Sequence, residues 1–129
     1  ELTIIGAVFG AVGTAGQRCT STRRLIIHES IYDTVVSKLT TAYAQLRVGN
    51  PLDTNNHVGP LIDTDAVKMY SNALAEVQKS GGKLLVEGGV LSGEGYESGC
   101  YVKPAIAEAS NDYQIVKNET FAPILYVMK

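Results

Sequence analysis

Helical patterns of apolar residues alternate with short apolar runs along this chain, and that alternation restricts the fold more than any other feature of the sequence. The clearest helical patterns are predicted over Ser30–Arg47 and over a segment that begins at Asp63 or Asp65. Short runs rich in leucine, isoleucine and valine stand between these patterns and are typical of strands. Helices and strands of this kind must bury their apolar faces against each other. The sequence therefore predicts an α/β domain in which helices cover a sheet.

Three helices are predicted from apolar spacing and boundary residues. The first helix has apolar residues on one face at Leu2, Ile5, Phe9 and Val12. Ser30 with Asp33 three residues later resembles a capping box at the start of the second helix. The third helix is expected to end at Gly81–Gly82, because glycine commonly terminates helices. Its apolar face consists of Val67, Tyr70, Leu74 and Val77.

Four strands, one long loop and one glycine-rich turn complete the predicted order. The strands are expected at Arg23–His28, Lys83–Glu87, Tyr101–Ala109 and Ile124–Met128. The first is expected to be a buried strand, and Pro104 should keep the third near a sheet edge or a strand end. Val48–Ile62 is predicted as a loop, whose length in a compact domain usually indicates function or mobility. Gly88–Gly99 is predicted as a turn.

Composition bounds the classes of partner that the chain can have. Its 129 residues, 45% of them hydrophobic, suffice for the core of one domain. The formal net charge of −2 gives no basic field for nucleic acid or an anionic membrane surface. No apolar run reaches the roughly 18 residues of a spanning helix. Two cysteines allow at most one disulfide, which favours a reducing compartment. We expect no nucleic-acid or membrane partner, and a location in the cytoplasm or, in a eukaryote, the mitochondrial matrix.

The glycines and histidines match no common binding motif. Glycines within Gly10–Gly16 follow the spacing G-x-x-G-x-x-G rather than the dinucleotide-binding G-x-G-x-x-G, and turns explain them better. His28 and His57 have no second histidine or cysteine at ligand spacing, so no metal site is predicted. Either histidine could act as a base, but its spacing nominates neither.

Cys19 is the candidate nucleophile, and the residues around it leave two interpretations open. A lone cysteine in a small domain is more often a buried small residue than a reactive one. Arg18, Arg23 and Arg24 would favour the thiolate if their side chains reached the sulfur. The flanking small residues would admit a substrate. The residues on either side match neither the caspase nor the papain signature.

Three motifs occur together in this chain. GTAGQRCTSTRRL, residues 13–25, resembles the Gly-Gln-x-Cys segment that carries the nucleophile of the aldehyde dehydrogenase superfamily. NETFAPIL, residues 118–125, is similar to the family's Glu-x-Phe-x-Pro segment, and VGNPLDTNNHVGPLI, residues 48–62, to its Gly-(Asn/Asp)-Pro…Gly-Pro loop. Their order is that of the family, and the resemblance runs essentially from end to end. Arg18, the Thr-Ser-Thr-Arg-Arg run and ETFAPILYV resemble the antiquitin-like branch, which oxidises α-aminoadipic semialdehyde.

This resemblance implies an open, twisted, mostly parallel sheet flanked by helices, and NAD-dependent oxidation of a small-molecule aldehyde to a carboxylic acid. Cys19 would attack the aldehyde, giving a thiohemiacetal and then a thioester. Glu119 would hold the nicotinamide ribose, and Phe121 would position the nicotinamide ring. Arg18 would bind the distal carboxylate of the substrate through its guanidinium fork, with a structural ion pair as the alternative.

The resemblance also implies parts that these 129 residues do not contain. The family's general base lies in a Glu-Leu-Gly-Gly stretch, whereas Glu1 and Leu2 are followed by threonine and isoleucine, so Glu1 is not assigned as the base. The side-chain asparagine of the oxyanion hole, the Rossmann domain and the oligomerisation segment are also missing. We therefore expect residues 1–129 to be a catalytic-domain segment of a homo-oligomeric enzyme, without turnover by itself. The alternatives are a cofactor-independent, esterase-like cysteine hydrolase and a non-catalytic structural domain of the same fold.

Overall fold

A computed structural model describes residues 2–129 of the chain. Its helices are α1 (Leu2–Val12), α2 (Tyr32–Tyr43), α3 (Thr64–Lys79) and the short α4 (Gln114–Lys117). Its strands are β1 (Arg24–Ile26), β2 (Lys83–Val86), β3 (Gly89–Val90), β4 (Val102–Lys103), β5 (Ala105–Glu108) and β6 (Ile124–Met128). A 3₁₀ turn at Gly13–Gly16 follows α1, and a second at Glu29–Ile31 precedes α2.

The strands form a four-stranded sheet and a separate two-stranded one. The larger sheet has the order β1-β6-β5-β2. β6 is parallel to both β1 and β5, and β2 is antiparallel to β5. The smaller sheet pairs β3 with β4 in antiparallel fashion. Because two of the three pairings in the larger sheet are parallel and helices flank it, the predicted α/β class with a mostly parallel sheet is confirmed.

The two central strands, β5 and β6, form the middle of the core. All of β6 is buried, and so are three of the four residues of β5. Pro104 stands between β4 and β5 and divides the strand predicted over Tyr101–Ala109 into two. Proline has no N–H to donate to the hydrogen bonds of a sheet, so the strand ends there. Of the two predicted positions for Pro104, a sheet edge or a strand end, the strand end is the observed one.

Helix α3 confirms its predicted start and its predicted apolar face. Asp63 is the cap, since its Oδ1 accepts the backbone N–H of Ala66 at 2.8 Å. All four residues of the predicted face are buried. One of them, Tyr70, donates its hydroxyl to the carbonyl of Lys103 at 2.6 Å and accepts the N–H of Gly89 at 2.8 Å. These two bonds attach α3 to β3 and β4.

Asp63→Ala should lower the free energy of unfolding by about 1 kcal/mol, because the first turn of α3 loses its capping acceptor. Urea denaturation measures the change. Asp65→Ala is the matched control: it removes an exposed carboxylate whose 2.8 Å pair with Lys68 lies in solvent, and it should cost less than about 0.5 kcal/mol. Equal losses in the two variants would contradict the assignment of Asp63 as the cap.

The apolar face predicted for α1 is wrong at three of its four residues, since Val12 alone among them is buried. Leu2, Ile5 and Phe9 are 85%, 63% and 62% exposed, respectively. The helix instead buries the side that carries Ala7, Ala11 and Val12. Its sequence is apolar on all sides, so spacing could not select one face, and the small residues allow the closer approach to neighbouring segments. At Gly10 the carbonyl accepts the N–H of Thr22 at 2.9 Å, and an added Cβ would collide with the Thr22 side chain.

Strand β1 and the entry to α2 also differ from the predictions. β1 lies at the edge of the larger sheet, and Ile26 is 73% exposed, so the strand is not buried. Ser30 does not cap α2, because the chain enters that helix through the 3₁₀ turn. Nδ1 of His28 accepts the N–H of Ser30 at 3.2 Å and caps this turn. The helix ends at Tyr43 rather than Arg47.

Candidate active site

Cys19 lies at the tip of a tight turn between α1 and β1. The N–H of Ser21 donates to the carbonyl of Arg18 at 3.1 Å, and the N–H of Arg18 donates to Oγ of Ser21 at 3.2 Å. The cysteine is exposed, which removes the interpretation of Cys19 as a buried small residue. Within residues 2–129 its backbone N–H has no hydrogen-bond acceptor. If Cys19 acts as the nucleophile, that N–H would be available to an oxyanion beside the sulfur.

Three consecutive left-handed residues turn the chain from α1 toward Cys19. Thr14, Ala15 and Gly16 have φ values of 55°, 54° and 70°. For residues with a Cβ this conformation costs about 1–2 kcal/mol each. A Cβ added at Gly16 would stand 2.5 Å from both the carbonyl carbon and the oxygen of Ala122. The glycine therefore lets the Cys19 segment press against the segment that carries Phe121.

The guanidinium of Arg23 connects the same two segments. Its Nη1 donates to the carbonyl of Ala122 at 3.0 Å, and its Nη2 donates to the carbonyl of Arg18 at 3.4 Å. Its central carbon lies 5.3 Å from the centroid of the Phe121 ring. Burial lowers the pKa of Arg23 and the nearby charge of Glu119 opposes that shift, but a guanidinium stays protonated at neutral pH. Arg23 is thus a fixed cation between the residues before Cys19 and after Phe121.

Gln17 attaches the third motif to the Cys19 turn. Its Nε2 lies 3.2 Å from the carbonyls of both Thr14 and Pro60. Its Oε1 accepts the N–H of Ile62 at 2.9 Å. The end of the loop predicted over Val48–Ile62 therefore packs beside the candidate nucleophile.

The two predicted cofactor residues lie on the segment that Arg23 holds. Phe121 is 38% exposed and has a left-handed φ of 57°. Glu119 is exposed and makes no ion pair within the described residues. An accessible aromatic ring and an uncommitted carboxylate two residues apart fit the nicotinamide and ribose end of a dinucleotide. Their roles remain predictions.

Arg18 turns its side chain back toward α1. Its Nε donates to Oγ1 of Thr14 at 2.8 Å, and its guanidinium carbon lies 5.5 Å from the centroid of the Phe9 ring. Within residues 2–129 it forms no ion pair, so the structural ion pair weighed as the alternative is not observed there. Its two Nη groups have no hydrogen-bond partner in this part of the chain, which leaves donors for a ligand carboxylate.

Each of the two histidines accepts a hydrogen bond from a backbone N–H. His28 caps the 3₁₀ turn, and Nδ1 of His57 accepts the N–H of Arg47 at 3.0 Å. Neither is hydrogen-bonded to Cys19, and Glu1 lies outside the described residues. Residues 2–129 contain no cluster of three histidine, cysteine or carboxylate side chains suited to a metal ion. Across the same residues, no helix combines the length and apolar character needed to span a membrane.

Sequence reasoning missed Gly16, Gln17 and Arg23 as residues that assemble the site. Gly16 and Gln17 belong to the Gly-Gln-x-Cys motif, and their spacing from Cys19 is the sequence signal that could have identified them. The sequence presents Arg23 only as a charge near the sulfur, whereas its donors face the carbonyls of residues 18 and 122. A contact across about 100 positions carries no local signature in the sequence.

Comparison with known proteins agrees with these motifs. The model of the aldehyde dehydrogenase family matches residues 1–129. Alpha-aminoadipic semialdehyde dehydrogenase of Bos taurus is 51% identical over 130 residues, covering all of this chain and 23% of that protein. Aldehyde dehydrogenase family 7 member A1 of Pisum sativum is 47% identical over 128 residues, covering 99% of this chain and 24% of that protein. The chain spans about a quarter of the length of these relatives.

Solved structures agree in fold over nearly the whole chain. HpcC of Thermus thermophilus has a TM-score of 0.90 at 31% identity and covers 97% of this chain and 25% of its own. A double mutant of betaine aldehyde dehydrogenase from Staphylococcus aureus, solved in complex with NAD+, has a TM-score of 0.92 at 25% identity. It covers 98% of this chain and 26% of its own. With the family model matched from end to end, this chain belongs to the aldehyde dehydrogenase family.

Proposed function

We propose that this chain supplies the nucleophile and part of the cofactor site of an NAD-dependent aldehyde dehydrogenase. Its substrate would be α-aminoadipic semialdehyde or a related semialdehyde. The relatives named for that substrate and for family 7 support the choice. Residues 1–129 would act as the catalytic segment. The general base and the dinucleotide-binding domain would belong to the three quarters of the relatives that this chain does not match.

One observation carries the proposal: three sequence-distant motifs meet around one exposed cysteine. Gly16 contacts Ala122, Arg23 bonds the carbonyls on both sides, and Gln17 bonds the loop at Pro60. A cysteine with only a packing role would not require three motifs to meet around it. Holding a nucleophile in fixed geometry beside a cofactor is the condition under which proximity accelerates a reaction.

The chemistry proposed for Cys19 is the one that the family resemblance implies, and the exposed position of the sulfur is compatible with it. Its thiolate would attack the aldehyde carbon, forming a carbon–sulfur bond and placing negative charge on the former carbonyl oxygen. The unpaired N–H of Cys19 would stabilise that oxyanion. Oxidation of the thiohemiacetal to a thioester is the chemistry that bound NAD would supply, as the hydride acceptor. Hydrolysis of the thioester then releases the carboxylic acid and regenerates the thiol.

Glu119 and Phe121 would hold the nicotinamide end of the cofactor. The carboxylate of Glu119 can accept hydrogen bonds from ribose hydroxyls, and the ring of Phe121 offers a flat apolar surface. Formation of NADH from NAD and α-aminoadipic semialdehyde by the protein at its natural length tests the function directly. If the protein forms no NADH but hydrolyses esters in a reaction that depends on Cys19, the result would instead support the cofactor-independent cysteine hydrolase.

Arg18→Gln should raise KM for α-aminoadipic semialdehyde by roughly 10- to 100-fold, because the substrate loses a charge-assisted bidentate contact. KM for hexanal, which has no distal carboxylate, should change less than about threefold. Steady-state kinetics with both aldehydes measure the difference. Lys68→Gln removes an exposed cation on α3 and is the control for net charge. Equal effects of Arg18→Gln on the two aldehydes would contradict the role in substrate recognition.

A further inference from the structure

We infer that Arg23 is a positioning residue that fixes the orientation of the Phe121 ring relative to Cys19 and thereby sets the affinity for the nicotinamide end of NAD. This inference rests on the proposed function, since it assumes that Phe121 faces the cofactor. Arg23 itself would touch neither substrate nor cofactor.

The first argument is the set of acceptors that Arg23 uses. One donor reaches the carbonyl of Ala122, directly after Phe121, and another reaches the carbonyl of Arg18, directly before Cys19. A planar guanidinium presents several N–H groups in a rigid fork, so one side chain can hold two backbone segments at a set distance. A lysine has a single nitrogen at this place and cannot reproduce that spacing.

The second argument is the conformation of Phe121. Its φ of 57° is uncommon for a bulky residue and persists only where the surroundings hold it. Arg23 acts on it through the bond to Ala122 and through its guanidinium, 5.3 Å from the ring centroid. The close packing of Gly16 against Ala122 holds the same segment from the Cys19 side.

The third argument is electrostatic. The charge of Glu119 acts on Arg23, and the two side chains form no ion pair within 4.0 Å. Arg23 thus attracts the carboxylate proposed to hold the ribose without occupying it. Loss of Arg23 would release the Phe121 segment through the bond to Ala122, so the effect should fall on cofactor binding more than on the chemical step.

Arg23→Gln and Arg23→Lys in the protein at its natural length test the inference. Titration calorimetry gives Kd for NAD, and steady-state kinetics give kcat at saturating NAD. Arg23→Gln should raise Kd roughly tenfold, which is about 1.4 kcal/mol, while kcat changes less than about threefold. Arg23→Lys keeps a cation near the ring and should recover part of this loss. The control is Arg24→Gln, because Arg24 bonds Oδ1 of Asn111 at 2.8 Å on the exposed side of β1.

The outcomes separate this inference from the proposed function. A wild-type protein that neither binds NAD nor forms NADH would overturn the function. A wild-type protein that does both, with Arg23→Gln binding NAD as tightly as Arg24→Gln, would overturn the inference alone. The inference would also be overturned if Arg23→Gln and Arg24→Gln lost NAD affinity and thermal stability to the same extent. That result would show a general loss of packing. If Arg23→Gln does not fold, Arg23→Lys decides by the same comparison with Arg24→Gln.

Discussion

Cys19→Ala should reduce NADH formation by at least about a thousandfold, with no recovery at high substrate concentration. The reaction proposed here runs through a carbon–sulfur bond, so removal of the sulfur removes the pathway rather than weakening a contact. Trapping of a covalent acyl-enzyme by mass spectrometry should succeed with the wild type and fail with the variant. NAD binding should be unchanged within about twofold, because the side chain of Cys19 is exposed and the bonds that hold the Phe121 segment come from Arg23.

Cys100→Ala is the matched control for this experiment. Cys100 is the other free cysteine, half-buried, with its Sγ 3.4 Å from the carbonyl of Ser98. Its removal should leave NADH formation within about twofold of the wild type. Retained activity in Cys19→Ala would contradict the nucleophile. Ester hydrolysis that disappears in Cys19→Ala, in a protein that forms no NADH, would identify the hydrolase.

Gly16→Ala should lower the free energy of unfolding by about 2–4 kcal/mol and should also disable the site. Two costs combine at this position. The residue has a φ of 70°, which a side chain adopts with strain, and a Cβ there would lie 2.5 Å from the carbonyl of Ala122. The clash can be relieved only by moving the Cys19 segment away from the Phe121 segment. Chemical denaturation and NADH formation measure the two effects.

Substitutions at two other glycines separate the cost of backbone strain from the cost of the steric clash with Ala122. Gly93 has a φ of 107° and open space where a Cβ would be added, so Gly93→Ala should show the strain alone, about 1 kcal/mol. Gly6 lies within α1 with nothing within 4 Å of an added Cβ, and Gly6→Ala should stabilise the protein by up to about 1 kcal/mol. A Gly16→Ala variant as stable as Gly93→Ala would contradict the close approach to Ala122.

The sequence predicted those elements whose apolar pattern has one interpretation. Outside the face of Tyr70 and its neighbours, α3 is mostly polar, with Met69 as an exposed exception, and the predicted face is confirmed. The sequence offered Asp63 or Asp65 as the cap, and the structure shows that it is Asp63. α1 has apolar residues all round, and its buried side is selected by close approach, which depends on neighbours that spacing does not reveal. Two short elements, β3 and α4, were missed because two or four residues carry no usable period. β3 forms within the stretch predicted as a glycine-rich turn.

The site was predictable as a set of motifs but not as an assembly. Motif order points to Cys19, Glu119 and Phe121 without any coordinates. The bonds that join their segments run from Arg23 to Ala122 and from Gln17 to Pro60, and they form only when the sheet brings these segments together. The sequence also could not predict that the Arg18 side chain points toward Phe9. That direction depends on Phe9 being exposed on the outer side of α1.

The hydrogen bond from the N–H of Thr22 to the carbonyl of Gly10 determines which positions of this chain can change without moving the sheet. It closes the chain between those residues into a compact loop whose two ends meet. Under the proposed function, changes at the exposed positions 18 and 20, on either side of Cys19, would alter which aldehyde is accepted without shifting β1 against β6. The proposed substrate preference would then change in this closed loop while the sheet stays the same.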